Sequence, residues 1–186
     1  MPQLPVVIVL AAGRGERFTA SGGSVHKLQA LLAGKPVLDH VLDAVRASGL
    51  PFHTVHSHPT NFGMGDSIAA GVKATPNASG WLILPADLPL IQSATLQAIA
   101  LELPCAVTVP LYQGQRGHPV CFAAACGPEL MKLKGMNGAA SVLRSFEAVR
   151  AITLLEVNDI GCVTDIDTVD DLRRAELLHA QRQKLF

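Results

Sequence analysis

The sequence predicts an α/β fold: a three-layer α/β/α sandwich, Rossmann-like, with a mostly parallel sheet and a small antiparallel excursion. Apolar runs of strand length alternate with amphipathic stretches of helical length, the pattern of successive β-α-β units. The first run, Val6–Leu10 (VVIVL), is continuous and β-branched, as a strand covered on both faces requires. Of the 186 residues, 49% are apolar and 16% charged, which supplies a sizeable core.

The elements follow in order. After Val6–Leu10, Pro36–Ser48 carries apolar residues at 37, 38, 41, 42 and 45, a helical stripe stopped by Gly49. Phe52–Val55 is a short strand and Asp66–Ala74 a helix. Trp81–Leu84 is a buried strand ended by Pro85. Ser93–Leu103 reads as a helix with Ser93 as N-cap. Ala106–Pro110 and Pro119–Ala123 are strands that break the alternation and make the antiparallel excursion. Helical segments near Pro128–Lys132 and Ala139–Phe146 precede a strand at Val149–Glu156. Asp167 or Thr168 caps a last helix through His179.

The size, 19.6 kDa, suits one domain over residues 1–186 and is short for two. Fifteen Lys plus Arg balance fifteen Asp plus Glu. Such a chain has no global field for nucleic acid or an anionic membrane, so an anionic ligand must be met by local charge. No Lys or Arg precedes the first apolar run, as a signal peptide would need, and the run Val6–Ala12 is far below the roughly 20 residues of a membrane span. A soluble, cytoplasmic protein is expected. Cys105, Cys121, Cys126 and Cys162 have no C-x-x-C spacing and read as reduced, mostly buried thiols.

The first loop, Ala11-Ala12-Gly13-Arg14-Gly15-Glu16-Arg17-Phe18, carries the strongest signal. In open α/β sheets, ligands bind beyond the carboxyl ends of the strands, and small residues there let backbone N–H groups approach an anion. The loop is no Walker motif. It is no dinucleotide fingerprint either, because Phe18 stands where the third glycine would make its close helix contact. Arg14, Arg17 and Lys27 place three cations near one loop, which suits a triphosphate with about four negative charges. A surface turn with solvated charges is the plain alternative.

Asp87 directly follows the WLILPA strand and faces the same crevice. Magnesium prefers one or two carboxylates plus phosphate oxygens and water, which makes Asp87 the first metal-ligand candidate. Asp165 and Asp167 alternate by two, so an extended segment points both to one face, where one of them can complete the site. Asp167 acting only as a helix cap is the alternative. Asp170 and Asp171 fit the first turn of the last helix. His53, His56 and His58 form a further cluster, read as a solvated strand end in preference to a zinc site.

The run L-A-A-G-R-G-E-R-F followed by Lys27-Leu28 resembles the signature of the MobA-like nucleotidyltransferases, and most closely the molybdenum cofactor cytidylyltransferases of the MocA type. Ala12 favours the cytidylyl branch over the guanylyl branch, which shows LAGG. The likeness recurs at Asn61–Ser67, Pro85–Pro89, Gly117–Val120, Asp165–Thr168 and Asp171-Leu172. It implies a fold of the nucleotide-diphospho-sugar transferase type. It implies a magnesium-dependent transfer of CMP from CTP to a phosphorylated acceptor such as molybdopterin, with a recipient molybdoenzyme as a possible partner. It implies Arg17, Lys27 and Asp87 as catalytic residues and Asp87 with Asp165 and Asp167 at the metal. Leu10, Ala11, Ala12, Gly13, Arg14, Gly15, Gly63 and Ser67 would bind nucleotide, and His118 the acceptor. Ser67 as a helix cap is an equal alternative.

One stretch departs from the family. Where many members carry G-D-x-G-A-R, this chain has Gly135-Met136-Asn137-Gly138-Ala139-Ala140, so an acidic and a basic residue are replaced by Met136 and Ala140. This leaves a sugar or polyol phosphate acceptor and a non-catalytic cofactor carrier as competing readings. An NAD(P)-dependent oxidoreductase is opposed by Phe18 and Asp87.

Overall fold

Strand β1 (Val6–Ala11) has Val7, Ile8 and Val9 fully buried, with alternate side chains entering different cores. In the computed structural model, which describes residues 4–57, 63–102 and 105–184, β1 lies inside a seven-stranded sheet. A short helix α1 (Glu16–Ala20) and a 3₁₀ turn (Lys27–Gln29) follow it. Then comes a small hairpin of β2 (Leu31–Leu32) and β3 (Lys35–Pro36). Its two linking residues, Ala33 and Gly34, both have positive φ, as a tight two-residue hairpin turn requires.

Next come α2 (Val37–Ser48), β4 (Phe52–His56), α3 (Met64–Ala74), β5 (Gly80–Pro85) and α4 (Ser93–Leu101). The second half holds β6 (Val107–Tyr112), β7 (Gln115–Arg116), β8 (Val120–Ala123), α5 (Gly127–Leu130), α6 (Ala140–Ala148), β9 (Ile152–Glu156) and α7 (Val169–Gln183).

The sheet order is β4-β1-β5-β8-β6-β7, with β9 also on β6. Strands β4, β1 and β5 pair in parallel, as do β6 and β9. Strand β8 is antiparallel to both β5 and β6 and joins the two parallel sets. The antiparallel excursion is therefore a central strand of the sheet. The chain leaves β1 toward β4 and returns to β5 on the other side, so the β1/β5 boundary is a topological switch point, where such sheets bind ligands.

One core holds Val7, Val9, Leu82 and Leu84 of the sheet with Val37, Val41 and Val45 of α2, Leu96 and Ile99 of α4, and Ala175 of α7. The opposite core holds Ile8, Trp81 and Ile83 with Ile68 and Val72 of α3, Leu130 of α5 and Val142 of α6. The apolar stripes of these helices supply the two outer layers of the expected sandwich.

Several boundaries move. Helix α7 runs four residues beyond His179, and β9 begins at Ile152 because Val149 ends α6. Ser93 does not cap α4: it is the first helical residue, after Gln92. The cap comes from far along the chain, since Asp159 Oδ2 accepts from Gln92 N at 2.9 Å and from Thr95 Oγ1 at 2.8 Å. Thr168 caps α7 in a reciprocal capping box with Asp171. Asp167 is thereby released from the capping role.

Candidate active site

Leu10 on β1 is in register with Pro85 on β5, and Ala86 N donates to Leu10 O at 3.1 Å. This sets the glycine-rich loop after β1 beside Asp87 after β5. Gly15 has φ +67°, a left-handed conformation suited to glycine, and its Cβ would meet the His26 ring at 3.4 Å. His26 Nδ1 accepts from Leu28 N at 3.2 Å, which leaves Nε2 to donate to Gly13 O at 2.8 Å. The imidazole thus ties the loop to the turn bearing Lys27. His26 was missing from the sequence candidates because its signal is positional and has no motif.

Lys27 Nζ donates to Asp87 Oδ2 at 2.7 Å and to Asp167 Oδ1 at 3.0 Å. Its side chain is 11% exposed and that of Asp87 18%. Arg17 pairs with the other oxygen of Asp167. Burial alone would lower the Lys27 pKa, but Asp87 and then Asp167 outweigh it and hold the ammonium above its ordinary value. Lys27 therefore stays charged. The sequence places the cations of the loop and Asp87 at one crevice, and here two of those cations meet the carboxylates directly. Arg14 does not join: it lies 3.5 Å from Glu16 with both side chains exposed.

Ile166 N donates to Asp87 O at 2.9 Å and its side chain is fully buried. That anchor lays residues 165–167 along the end of β5, with Asp165 and Asp167 flanking the buried isoleucine. Crowding by the surrounding protein, then the charges of Asp87, Asp167 and Asp171, push the Asp165 pKa up. Asp165 takes no part in the lysine clamp. His118 N donates to Cys162 O at 2.8 Å. Crowding lowers the His118 pKa although the residue is exposed by area, against the opposite pull of Asp87 and Asp165.

The donor set fits a hard divalent cation. Asp87 Oδ1 is buried and has no hydrogen-bond partner, an orphaned acceptor beside a second carboxylate. Among the described residues, no group of three or more His, Cys, Asp or Glu is gathered to hold a metal alone. A hard cation on one or two carboxylates completes its shell with phosphate oxygens and water. His53 and His56 lie on β4, and His58 falls outside the described residues.

The second loop is built by close approach. A Cβ on Gly63 would meet Gly135 backbone at 2.3 Å, and one on Gly65 would meet Lys134 O at 2.8 Å. Asp66 Oδ2 accepts from Gly135 N at 3.0 Å, a contact without a sequence signal of its own. Ser67 is no N-cap: it sits in the first turn of α3, buried, and donates back to Gly63 O at 3.2 Å. Leu10, His118 and the Asn137–Ala140 segment line an apolar pocket of about 240 Å³ between α3 and α6. Among the described residues, no helix is long and apolar enough to cross a membrane.

Residues 7–151 match the MobA-like NTP transferase domain. The chain is 30% identical to the purine catabolism protein PucB of Bacillus subtilis (strain 168), over 90% of this chain and 95% of that protein. A nucleotidyl transferase from Methanothermobacter thermautotrophicus, Mth528, superposes with a TM-score of 0.80 at 20% identity, over 96% of this chain and 99% of that one. Rv0371c from Mycobacterium tuberculosis H37Rv, solved as a manganese complex, gives 0.69 at 22% identity, over 94% and 98%. With its glycine-rich loop and Asp87 side by side at the switch point, and its sequence matched from β1 to the end of α6, this chain belongs to the MobA-like NTP transferase family.

Proposed function

We propose that the chain, as one nucleotidyltransferase domain over residues 1–186, transfers CMP from CTP to the phosphate of a molybdopterin-type acceptor. The observation that carries the reading is the clamp of Lys27 on Asp87 and Asp167 beside the glycine-rich loop. Ala12, in LAAG, supports CTP over GTP. The manganese of the Rv0371c structure supports a divalent ion with this fold, and Mg2+ is the ion we propose.

An oxygen of the acceptor phosphate attacks the α-phosphorus of CTP. A new P–O bond forms, the bond from that phosphorus to the bridging oxygen breaks, and pyrophosphate leaves with the electron pair. The attacking oxygen is already ionised near neutral pH, so no side chain need act as base. Magnesium, when held by Asp87 and by Asp165 or Asp167, supplies charge neutralisation on the phosphates. Backbone of Leu10–Gly15 approaches the triphosphate, with Gly63 and Ser67 on the nucleoside side. Lys27 and Arg17 offer fixed positive charge where the pentavalent phosphorus and the leaving group gain negative charge. His118 lies on the acceptor side. The chemistry is positioning and electrostatics, with no covalent enzyme intermediate. Such a reaction suits a cytoplasmic enzyme handing its product to a molybdoenzyme.

A thermal-shift panel with Mg2+ and CTP, GTP, ATP, UTP, NADH or NADPH tests this reading. CTP should raise the melting temperature most, because a ligand that binds only the folded state stabilises it. A response confined to NADH or NADPH defeats it. Pyrophosphate release that depends on added acceptor separates an enzyme from a carrier.

A further inference from the structure

The pocket of about 240 Å³ has walls from Ile68, Ile83, Val109, Phe122 and Leu143, and Arg116 stands in its lining. Among the described lining residues Arg116 is the one Lys or Arg. The cations beside the carboxylates, Lys27 with Asp87 and Asp167 and Arg17 with Asp167, are the ones proposed above to serve the transferring phosphates. Ala140, also in the lining, has no charge to offer. Resting on the nucleotidyl-transfer reading, we propose that Arg116, presented by β7, is the acceptor's anion anchor. The acceptor class that fits is a phosphate monoester carried on an uncharged ring, the ring entering the apolar pocket and the phosphate meeting the guanidinium.

Two details make Arg116 suitable. A guanidinium presents a planar fork that matches phosphate oxygens two at a time. And Arg116 is already held in place by an ion pair with Glu147 of α6, with both side chains partly exposed. Glu147 orients the arginine and competes with the incoming phosphate for it. The next residues, Gly117 and His118, lead back toward the end of β5: Gly117 packs against Cys162, His118 N donates to Cys162 O at 2.8 Å, and Val120 is in register with Ile83. A phosphate held at Arg116 therefore lies on the same side of the sheet end as the carboxylates.

The test uses phenyl phosphate as probe, titrated by calorimetry into the full chain with Mg2+ and a CTP analogue bridged by carbon between its α- and β-phosphorus. Wild type should bind phenyl phosphate more tightly than inorganic phosphate. Arg116→Ala should weaken it about tenfold, the loss of one charge-assisted contact. Arg116→Lys should recover part of the affinity, and Glu147→Gln should tighten binding by releasing the guanidinium. The CTP analogue should bind all four proteins equally. Unchanged phenyl phosphate binding in Arg116→Ala, or equal binding of phenyl phosphate and inorganic phosphate by wild type, overturns the anchor. Failure of wild type to bind the CTP analogue instead overturns the nucleotidyl-transfer reading beneath it.

Discussion

Lys27 donates to two carboxylates from one nitrogen, and Asp87 still keeps an unpartnered oxygen. Removing the lysine leaves Asp87 and Asp167 with uncompensated like charge and deprives a bound triphosphate of its buried cation. Lys27→Ala should lower CTP turnover by roughly a hundredfold or more, the scale of losing one preorganised electrostatic contact. Arg17 is 79% exposed at its side chain, so its alanine variant should fold normally and lose turnover as well. Pyrophosphate release from the purified variants, alongside unchanged far-ultraviolet circular dichroism, checks both, and wild-type turnover in either removes that residue's role. The candidate cluster was legible in part: a short loop and an acidic strand end carry their own spacing, and Arg17, Lys27, Asp87 and Asp167 come together while Arg14 stays apart. His26, Asp66 and Asp159 were not, since each acts through hydrogen bonds to groups distant in the chain and belongs to no motif.

At the scale of elements, Asp159 is 2% exposed and receives Gln92 N, Thr95 Oγ1 and Gly161 N, with Arg182 of α7 at 3.4 Å. One carboxylate thus joins α4, the turn before Asp165, and α7. Asp159→Ala should cost about 3 kcal/mol, because several donors lose their acceptor and a cation its partner. A urea midpoint equal to wild type would refute that. The packing of α7 on α2 carries a pH dependence. His179 meets His40 edge-on at 5.5 Å, and burial, then His40, Arg182 and Lys35, lower its pKa from 6.5. The folded chain thus binds this proton less readily than the unfolded one. Stability contributed by neutral His179 is present above pH 6.5 and declines as pH falls through that value toward the folded pKa. The melting temperature should drop between about pH 7 and 5, and His179→Gln should remove part of that slope. Parallel slopes for the two proteins would discard the idea. Strands were readable as apolar runs, whereas Ser93 as a cap was misread because a local serine was preferred to an acid 66 positions away.

For the molecule as a whole, burial pushes the Cys121 thiol up to about 12 and those of Cys126 and Cys162 up to about 11. Thiolate, the reactive form, is therefore scarce in all three near neutral pH. Cys105 is half-buried and free. Iodoacetamide at about pH 8 should label Cys105 first and the other three only on unfolding. Mass spectrometry reading early label on Cys121 would contradict the packing. The layer architecture was legible from alternation alone, but the place of β8 was not. A short apolar strand looks the same at an edge or in the centre, and only long-range pairing decides.

That placement has a consequence for how such proteins diversify. Strands β4, β1 and β5, which present the glycine-rich loop and Asp87, touch the β6–β9 set through the four residues of β8. Thr108 and Val107 meet β8 on one side and Gly80–Ile83 on the other. The sheet is two parallel sets stitched along one short strand, and the segment after β9 crosses back to the first set, with Asp159 on α4 and Ile166 on Asp87. Changes in β6, β7 and α6 can accumulate while β4, β1 and β5 keep their pairing, provided that the edges of β8 still match. A chimera exchanging β6–β9 between relatives has the register of both edges of β8 to preserve, together with the contacts that Asp159, Ile166 and Asp167 make to α4, Asp87 and Lys27.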